Sequence, residues 1–239
     1  MHEILMKYNI TGDNLQFANI EIVPGETIYA EAGSMAYMTG NVSMDAKMRG
    51  GVFKGIKRKL TGESFFLTHF GAEGGPGVIA FAGRVPGKIM ALDLRGGKQF
   101  ILQKDSFLCA EDQVEFDIAF QKKLGAALFG GEGLILQRVW GEGTVFVNGC
   151  GDFVELNLQP GQMVKVSTSH AVGWETSVQY DIQSVGGITT AFFGGEGLFV
   201  TTLRGPGKVI LQSLTLSKLA NSLIPFLPGK GDGGLIRIG

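Results

Sequence analysis

Apolar and polar residues alternate along this chain in short runs, and most runs end at a glycine. Residues 4–10 and 15–23 flank Thr11-Gly12-Asp13-Asn14, which predicts a β-hairpin at the start. Three further turns, Pro24-Gly25, Gly96-Gly97 and Pro160-Gly161, each open a segment with the same order of elements. An alternating strand comes first, as in Met163, Val164 and Val166 ahead of Ser167-Thr168-Ser169. A second strand covers residues 42–45, 114–118 and 178–182 in the three segments. A glycine-rich motif comes next: Phe129-Gly130-Gly131-Glu132-Gly133-Leu134, repeated as Phe193-Gly194-Gly195-Glu196-Gly197-Leu198 and reduced to Thr61-Gly62-Glu63-Ser64-Phe65. An apolar strand leaves it over 65–70, 134–140 and 198–203. A Gly-x-Gly turn (Gly75-Pro76-Gly77, Gly141-Glu142-Gly143, Gly205-Pro206-Gly207) then leads to a last strand from Val78, Val145 or Val209. Short strands at regular spacing, closed by glycine turns, are the pattern of a sandwich or barrel.

The segments are copies of one another. Gly97, Ser106, Val114, Asp117, Ile118, Glu132, Gly141, Gly143 and Val145 match Gly161, His170, Val178, Asp181, Ile182, Glu196, Gly205, Gly207 and Val209 at a constant offset of 64. The first third matches more loosely, with Gly25, Ser34, Val42 and Asp45 offset by 72 and Glu63 by 69 from the second copy. Such a period marks a supersecondary unit stacked on copies of itself, and a copy this small and glycine-rich cannot hold a core alone. One domain is therefore expected: an N-terminal hairpin (1–24), repeats over 25–96, 97–160 and 161–213, and a C-terminal segment (214–239). The predicted fold is all-β, with three tandem repeats forming one pseudo-threefold sandwich or double-stranded β-helix-like domain. A short C-terminal helix is read from Leu216, Leu219, Ala220, Leu223, Ile224 and Leu227 at helical spacing, interrupted by Pro225.

Composition bears on function more than on fold. The chain is 44% hydrophobic and 18% charged, which excludes a disordered protein. A net charge of −1 provides no field to gather nucleic acid or an anionic membrane. Cys109 and Cys150 cannot build a disulfide framework and read as buried thiols in a reducing compartment. No cationic stretch precedes an apolar run at the N-terminus, so a cytoplasmic protein is expected.

Five sets of residues are candidates for chemistry or contact. Glu63, Glu132 and Glu196 sit in the glycine-rich turns. They could accept hydrogen bonds from turn N–H groups, or converge on a symmetry axis to hold a cation. Asp45, Asp117 and Asp181 invite the same two readings. His170 breaks the repeat where Ser34 and Ser106 stand; it could be a general base or a ligand, or a histidine hydrogen-bonded at a strand end. With only His2, His69 and His170, and no metal-ligand spacing, no metal or other cofactor is expected. Lys54, Lys57, Arg58 and Lys59, interleaved with Phe53, Ile56 and Leu60, form a basic insertion that could touch anionic lipid or RNA backbone, or remain a solvated loop. Leu219 and Leu223 on the C-terminal helix could cover a sheet edge of the same chain, or pack against a neighbouring subunit or a membrane surface.

Ala32-Gly33-Ser34-Met35, Thr61-Gly62-Glu63-Ser64-Phe65-Phe66-Leu67, Gly131-Glu132-Gly133-Leu134 and Gly205-Pro206-Gly207-Lys208-Val209 resemble the signature segments of a known family. It is the mitochondrial-biogenesis family named for altered inheritance of mitochondria, member twenty-four, and the likeness runs over about residues 23–212. The chain departs from the family pattern at Ser169-His170, where a Gly-His pair is usual. The resemblance implies three β repeats with a fold similar to the tryptophan-binding RNA attenuation protein. It does not imply an enzymatic activity, a cofactor or agreed binding residues. A non-enzymatic scaffold or interaction protein that forms a homo-oligomer is the reading these features favour, with a trimer as the candidate assembly. A small-ligand or RNA-binding module is the alternative, and a metal-dependent enzyme around His170 is the third reading. Nucleic acid is disfavoured as a partner by the charge, and peripheral membrane contact rests on the basic insertion and the C-terminal helix.

Overall fold

The computed structural model describes residues 6–45, 67–122, 134–184 and 199–226. After β1 (Lys7–Thr11), the chain runs through three units of six strands. Unit 1 holds β2 (Phe17–Ile22), β3 (Thr27–Glu31), β4 (Met35–Met38), β5 (Val42–Asp45), β6 (Leu67–Ala72) and β7 (Gly77–Ala82). Unit 2 holds β8 (Ile89–Asp93), β9 (Phe100–Gln103), β10 (Phe107–Glu111), β11 (Val114–Lys122), β12 (Leu134–Gly141) and β13 (Thr144–Asn148). Unit 3 holds β14 (Phe153–Leu158), β15 (Met163–Ser167), β16 (Ala171–Glu175), β17 (Gln179–Ser184), β18 (Phe199–Arg204) and β19 (Gly207–Gln212). The helix α1 (Leu216–Leu223) and a 3-10 turn, Ile224–Phe226, follow. The fold is all-β with a short C-terminal helix.

Units 2 and 3 each contain two strands more than the hydrophobic pattern suggests, and unit 1 contains one more, β4, since β2 is the second strand of the expected hairpin. β10 and β16 were hidden because Phe107–Ala110 and Ala171–Trp174 are buried on both faces, which erases alternation. β8 and β14 lie ahead of the turns at Gly96-Gly97 and Pro160-Gly161, so the structural unit begins one strand before the sequence match does.

The strands build four antiparallel sheets, ordered β1-β2-β7-β4, β5-β6-β3-β10-β13-β8, β11-β12-β9-β16-β19-β14 and β15-β18-β17. Every unit contributes half its strands to one sheet and half to the next, so the two inner sheets are shared between consecutive units. Three cores lie between the four sheets. The first joins Ile20, Ile79 and Phe81 to Phe70, Cys109 and Phe146. The second joins Tyr29, Phe107 and Val145 to Leu102, Val139 and Ile210. The third joins Ile101, Leu136 and Trp174 to Val166 and Leu203. Stacked sheets about 10 Å apart, with interdigitated side chains, account for the length of chain needed before any one core is complete.

Two junctions carry the sharing. β3 pairs with β10, and β9 pairs with β16, in equivalent registers. The third pairing that closure about a threefold axis would add, β15 on β4, is not present: both strands end their sheets. The links between units instead line up in series through parallel bridges, Leu15 to Gly87 and Gly87 to Gly151.

Candidate functional site

Glu63, Glu132, Glu196 and the basic insertion Lys54, Lys57, Arg58 and Lys59 lie outside the described residues. Asp45, Asp117 and Asp181 stand on β5, β11 and β17, at the edges of three different sheets. Asp117 accepts from Arg138 at 3.1 Å, and Asp181 accepts from Gln183 on its own strand at 2.6 Å. Among the described residues, no three His, Cys, Asp or Glu side chains are grouped to hold a metal ion.

A repeated carboxylate latch, not foreseen from the sequence, sits at the end of strands β10 and β16. Oε2 of Glu111 accepts from the backbone N–H of Thr144, and Oε2 of Glu175 accepts from that of Lys208 at 2.9 Å. In unit 1, Thr39 takes this place, its Oγ1 accepting from Val78 N–H at 3.0 Å. The Gly-x-Gly turns explain themselves here. A Cβ on Gly143 would lie 3.1 Å from Glu111 Cβ, and one on Gly207 would lie 3.2 Å from Glu175 Oε2. The second glycine of each turn leaves room for the latch. The spacing signal existed, since Glu111 and Glu175 share the offset of 64, but Thr39 hid it in the first repeat.

Glu111 also receives Nη2 of Arg95 at 3.1 and 2.8 Å, while Nη1 of Arg95 reaches Asp93 at 2.9 Å and Thr144 at 3.2 Å. Arg95 and Glu111 border a cleft of about 310 Å³ with Glu26, Thr27, Ile28, Gln113 and Glu142. Its cation is thus committed to structure. Glu31, paired with Arg84 at 2.9 Å, is held above the ordinary carboxylate range by burial, which outweighs the attraction of Arg84. Burial alone pushes the Cys109 thiol well up, and the Cys150 thiol up as well, so neither is activated as a nucleophile.

His170 ends a 3-10 turn, Thr168–His170, ahead of β16. Its Nδ1 lies 2.7 Å from the Gln212 carbonyl, and its Nε2 lies 3.2 Å from Nζ of Lys218 on α1. Ser169 needs no special backbone shape, because no non-glycine among the described residues has a positive φ. The helix itself starts at a capped end, where Thr215 Oγ1 accepts from Lys218 N–H at 3.1 Å. Most of its apolar stripe is exposed. Leu216 is 56% exposed, Leu223 52% and Phe226 84%, while Leu219 is half-buried.

The family model for mitochondrial biogenesis AIM24 matches residues 8–214, which span all three units and both junctions. The chain belongs to the AIM24 family. An uncharacterized protein of Streptococcus pyogenes serotype M6 is 34% identical over 225 residues, 90% of this chain and 89% of that protein. The crystal structure of another Streptococcus pyogenes protein superposes with a TM-score of 0.76 at 29% identity, covering 93% of this chain and all of the other. The AIM24 match ends at Leu214, before α1 begins at Leu216, so the apolar helix lies just beyond the family's shared segment. No helix among the described residues is long and apolar enough to cross a membrane.

Proposed function

We propose that this chain is a non-enzymatic scaffold that self-associates through the apolar face of α1. One observation carries the reading: Leu216, Leu223, Ile224 and Phe226 are each more than half exposed on an element whose polar side is pinned. Water around such a face is costly, and an equivalent face on a second copy removes it at both sites in one isologous contact. The groups that could serve catalysis are committed elsewhere: Arg95 to Asp93 and Glu111, His170 to Gln212 and Lys218.

Sedimentation velocity over a wide concentration range tests this. The wild-type chain should show mass-action association, and the Leu219→Ser/Leu223→Ser variant should remain monomeric. A wild type that stays monomeric throughout overturns the reading. The cleft beside Arg95 supports a second one, a small-ligand module of the attenuation-protein type, less strongly because its cation is already paired. A ligand-dependent rise in melting temperature would favour that module instead.

A further inference from the structure

The junction between units is built twice from the same register. Ala30 faces Cys109, Tyr29 faces Ala110 and Ile28 faces Glu111; likewise Leu102 faces Gly173, Ile101 faces Trp174 and Phe100 faces Glu175. A flanking bond repeats too, from Asp112 N–H to the Thr27 carbonyl and from Thr176 N–H to the Gln99 carbonyl, both at 3.0 Å. Carried on by the same offsets, the register would set Tyr37 opposite Val166 and Met38 opposite Lys165.

We propose that β4 and β15 are the two halves of a third such junction, one that joins a second copy of the chain and is held open by Tyr37 and Lys165. The proposal concerns strand edges and does not depend on α1. Three observations support the complementarity. Residues of β10 and β16 that are fully buried correspond in β4 to Met35, Ala36, Tyr37 and Met38, all half-buried or exposed. Tyr37 is 50% exposed, although its equivalent Cys109 is wholly buried in the core of the preceding unit. Among the edge strands of the described sheets, β4 is the one without a charged residue, whereas β1, β5, β8, β11, β14, β15 and β17 all carry one. Charged residues are a usual protection of free edges, so β4 relies on something else.

That protection is size and charge at two positions. The made junctions pair small with larger: Ala30 with Cys109, and Leu102 with Gly173. A Cβ on Gly173 would already lie 2.5 Å from Leu102 Cδ2 and 2.6 Å from the Ile101 carbonyl oxygen. A tyrosine at this place opposite Val166 overfills it, and Tyr37 is held in position by donating from its hydroxyl to Asn19 Oδ1 at 2.6 Å. Across the seam, Lys165 stands where the made junctions bury Tyr29 and Ile101 in the following core. Joining would carry its ammonium toward the first core of the next copy, where no counter-charge stands on β4. The occupant is a second copy because the free strands close opposite ends of a four-sheet stack. The contact is therefore head-to-tail.

The test is disulfide trapping by register. One protein carries Tyr37→Gly and Met38→Cys, and the other carries Tyr37→Gly and Lys165→Cys. Directly opposed residues of an antiparallel pair are close enough for a disulfide, and the native Cys109 and Cys150 are buried. Oxidising the mixture should give a disulfide heterodimer, absent from either protein alone. The same cysteines with Tyr37 retained should give roughly tenfold less. No heterodimer, or equal trapping with Tyr37 retained, overturns the proposal. A Met38→Cys homodimer overturns it too, since β4 would then be pairing with β4. Tyr37→Ala replaces Tyr37→Gly if glycine unfolds the strand, as melting curves will show. Trapping is run in the Leu219→Ser/Leu223→Ser background, so loss of α1-mediated association and loss of the seam are read separately.

Discussion

Lys218 on α1 donates from Nζ to Nε2 of His170 at 3.2 Å, with the other ring nitrogen bonded to the Gln212 carbonyl at 2.7 Å. The two contacts together assign the ring proton to Nδ1 and leave Nε2 as an acceptor. They also explain why the third repeat departs from the others. In unit 1 the equivalent Ser34 closes its own turn, donating from Oγ to the Glu31 carbonyl at 2.7 Å. In unit 3 a helix follows the last strand, and a longer side chain is needed to reach it.

Replacing His170 by Ala should therefore loosen α1 and little else. The amide of Leu219, which donates to the Thr215 carbonyl, should exchange with deuterium markedly faster, while the global melting temperature barely moves. Unchanged exchange at Leu219 would show that the ring does not tether the helix.

The Glu111 latch should matter more than its counterpart in unit 3. Glu111→Ala leaves the half-buried Arg95 guanidinium with Asp93 as its one remaining carboxylate partner and removes the acceptor of Thr144 N–H, so a loss of about 2–3 kcal/mol is expected. Glu175→Ala removes the acceptor for Lys208 N–H and should cost about 1–2 kcal/mol. Urea unfolding of both variants gives the comparison, and equal losses would refute the ranking.

Glu31 predicts a pH dependence of defined sign. Burial raises its folded-state pKa, so its ionisation works against folding. Wild type should lose stability relative to Glu31→Gln as pH rises through that raised value. The difference should vanish below the ordinary carboxylate pKa, where the group is neutral in both states. Urea midpoints at pH 4 and pH 7 decide it; a gap that widens toward acid reverses the sign.

Gly173→Ala should weaken the junction of units 2 and 3. The added methyl meets the Ile101 carbonyl, which is backbone and cannot turn aside. A cost of about 1–3 kcal/mol is expected from crowding. Thermal unfolding measures it, and a neutral substitution would show that the junction has slack.

The repeat, its turns and the last strand of each unit were legible because they depend on local chemistry. Glycine recurs where turns bend, and half-buried strands such as β6 alternate. β10 and β16 were not legible, since burial on both faces depends on sheets contributed by another unit. The candidate site was legible only in part. His170 was marked by the broken repeat, but its partner Lys218 is 48 residues away, and the Glu111–Arg95 pair arises only where β10 meets the turn after β8.

By itself, the order of residues determined an all-β chain of three copies with a helix after them, because period and turn chemistry are written in neighbouring positions. Only the tertiary structure decided that the copies share sheets, that two junctions form and a third stays open, and that α1 keeps its apolar face outward. Those outcomes depend on side chains far apart in sequence fitting or crowding one another, as Leu102 fits Gly173 and Val166 would crowd Tyr37.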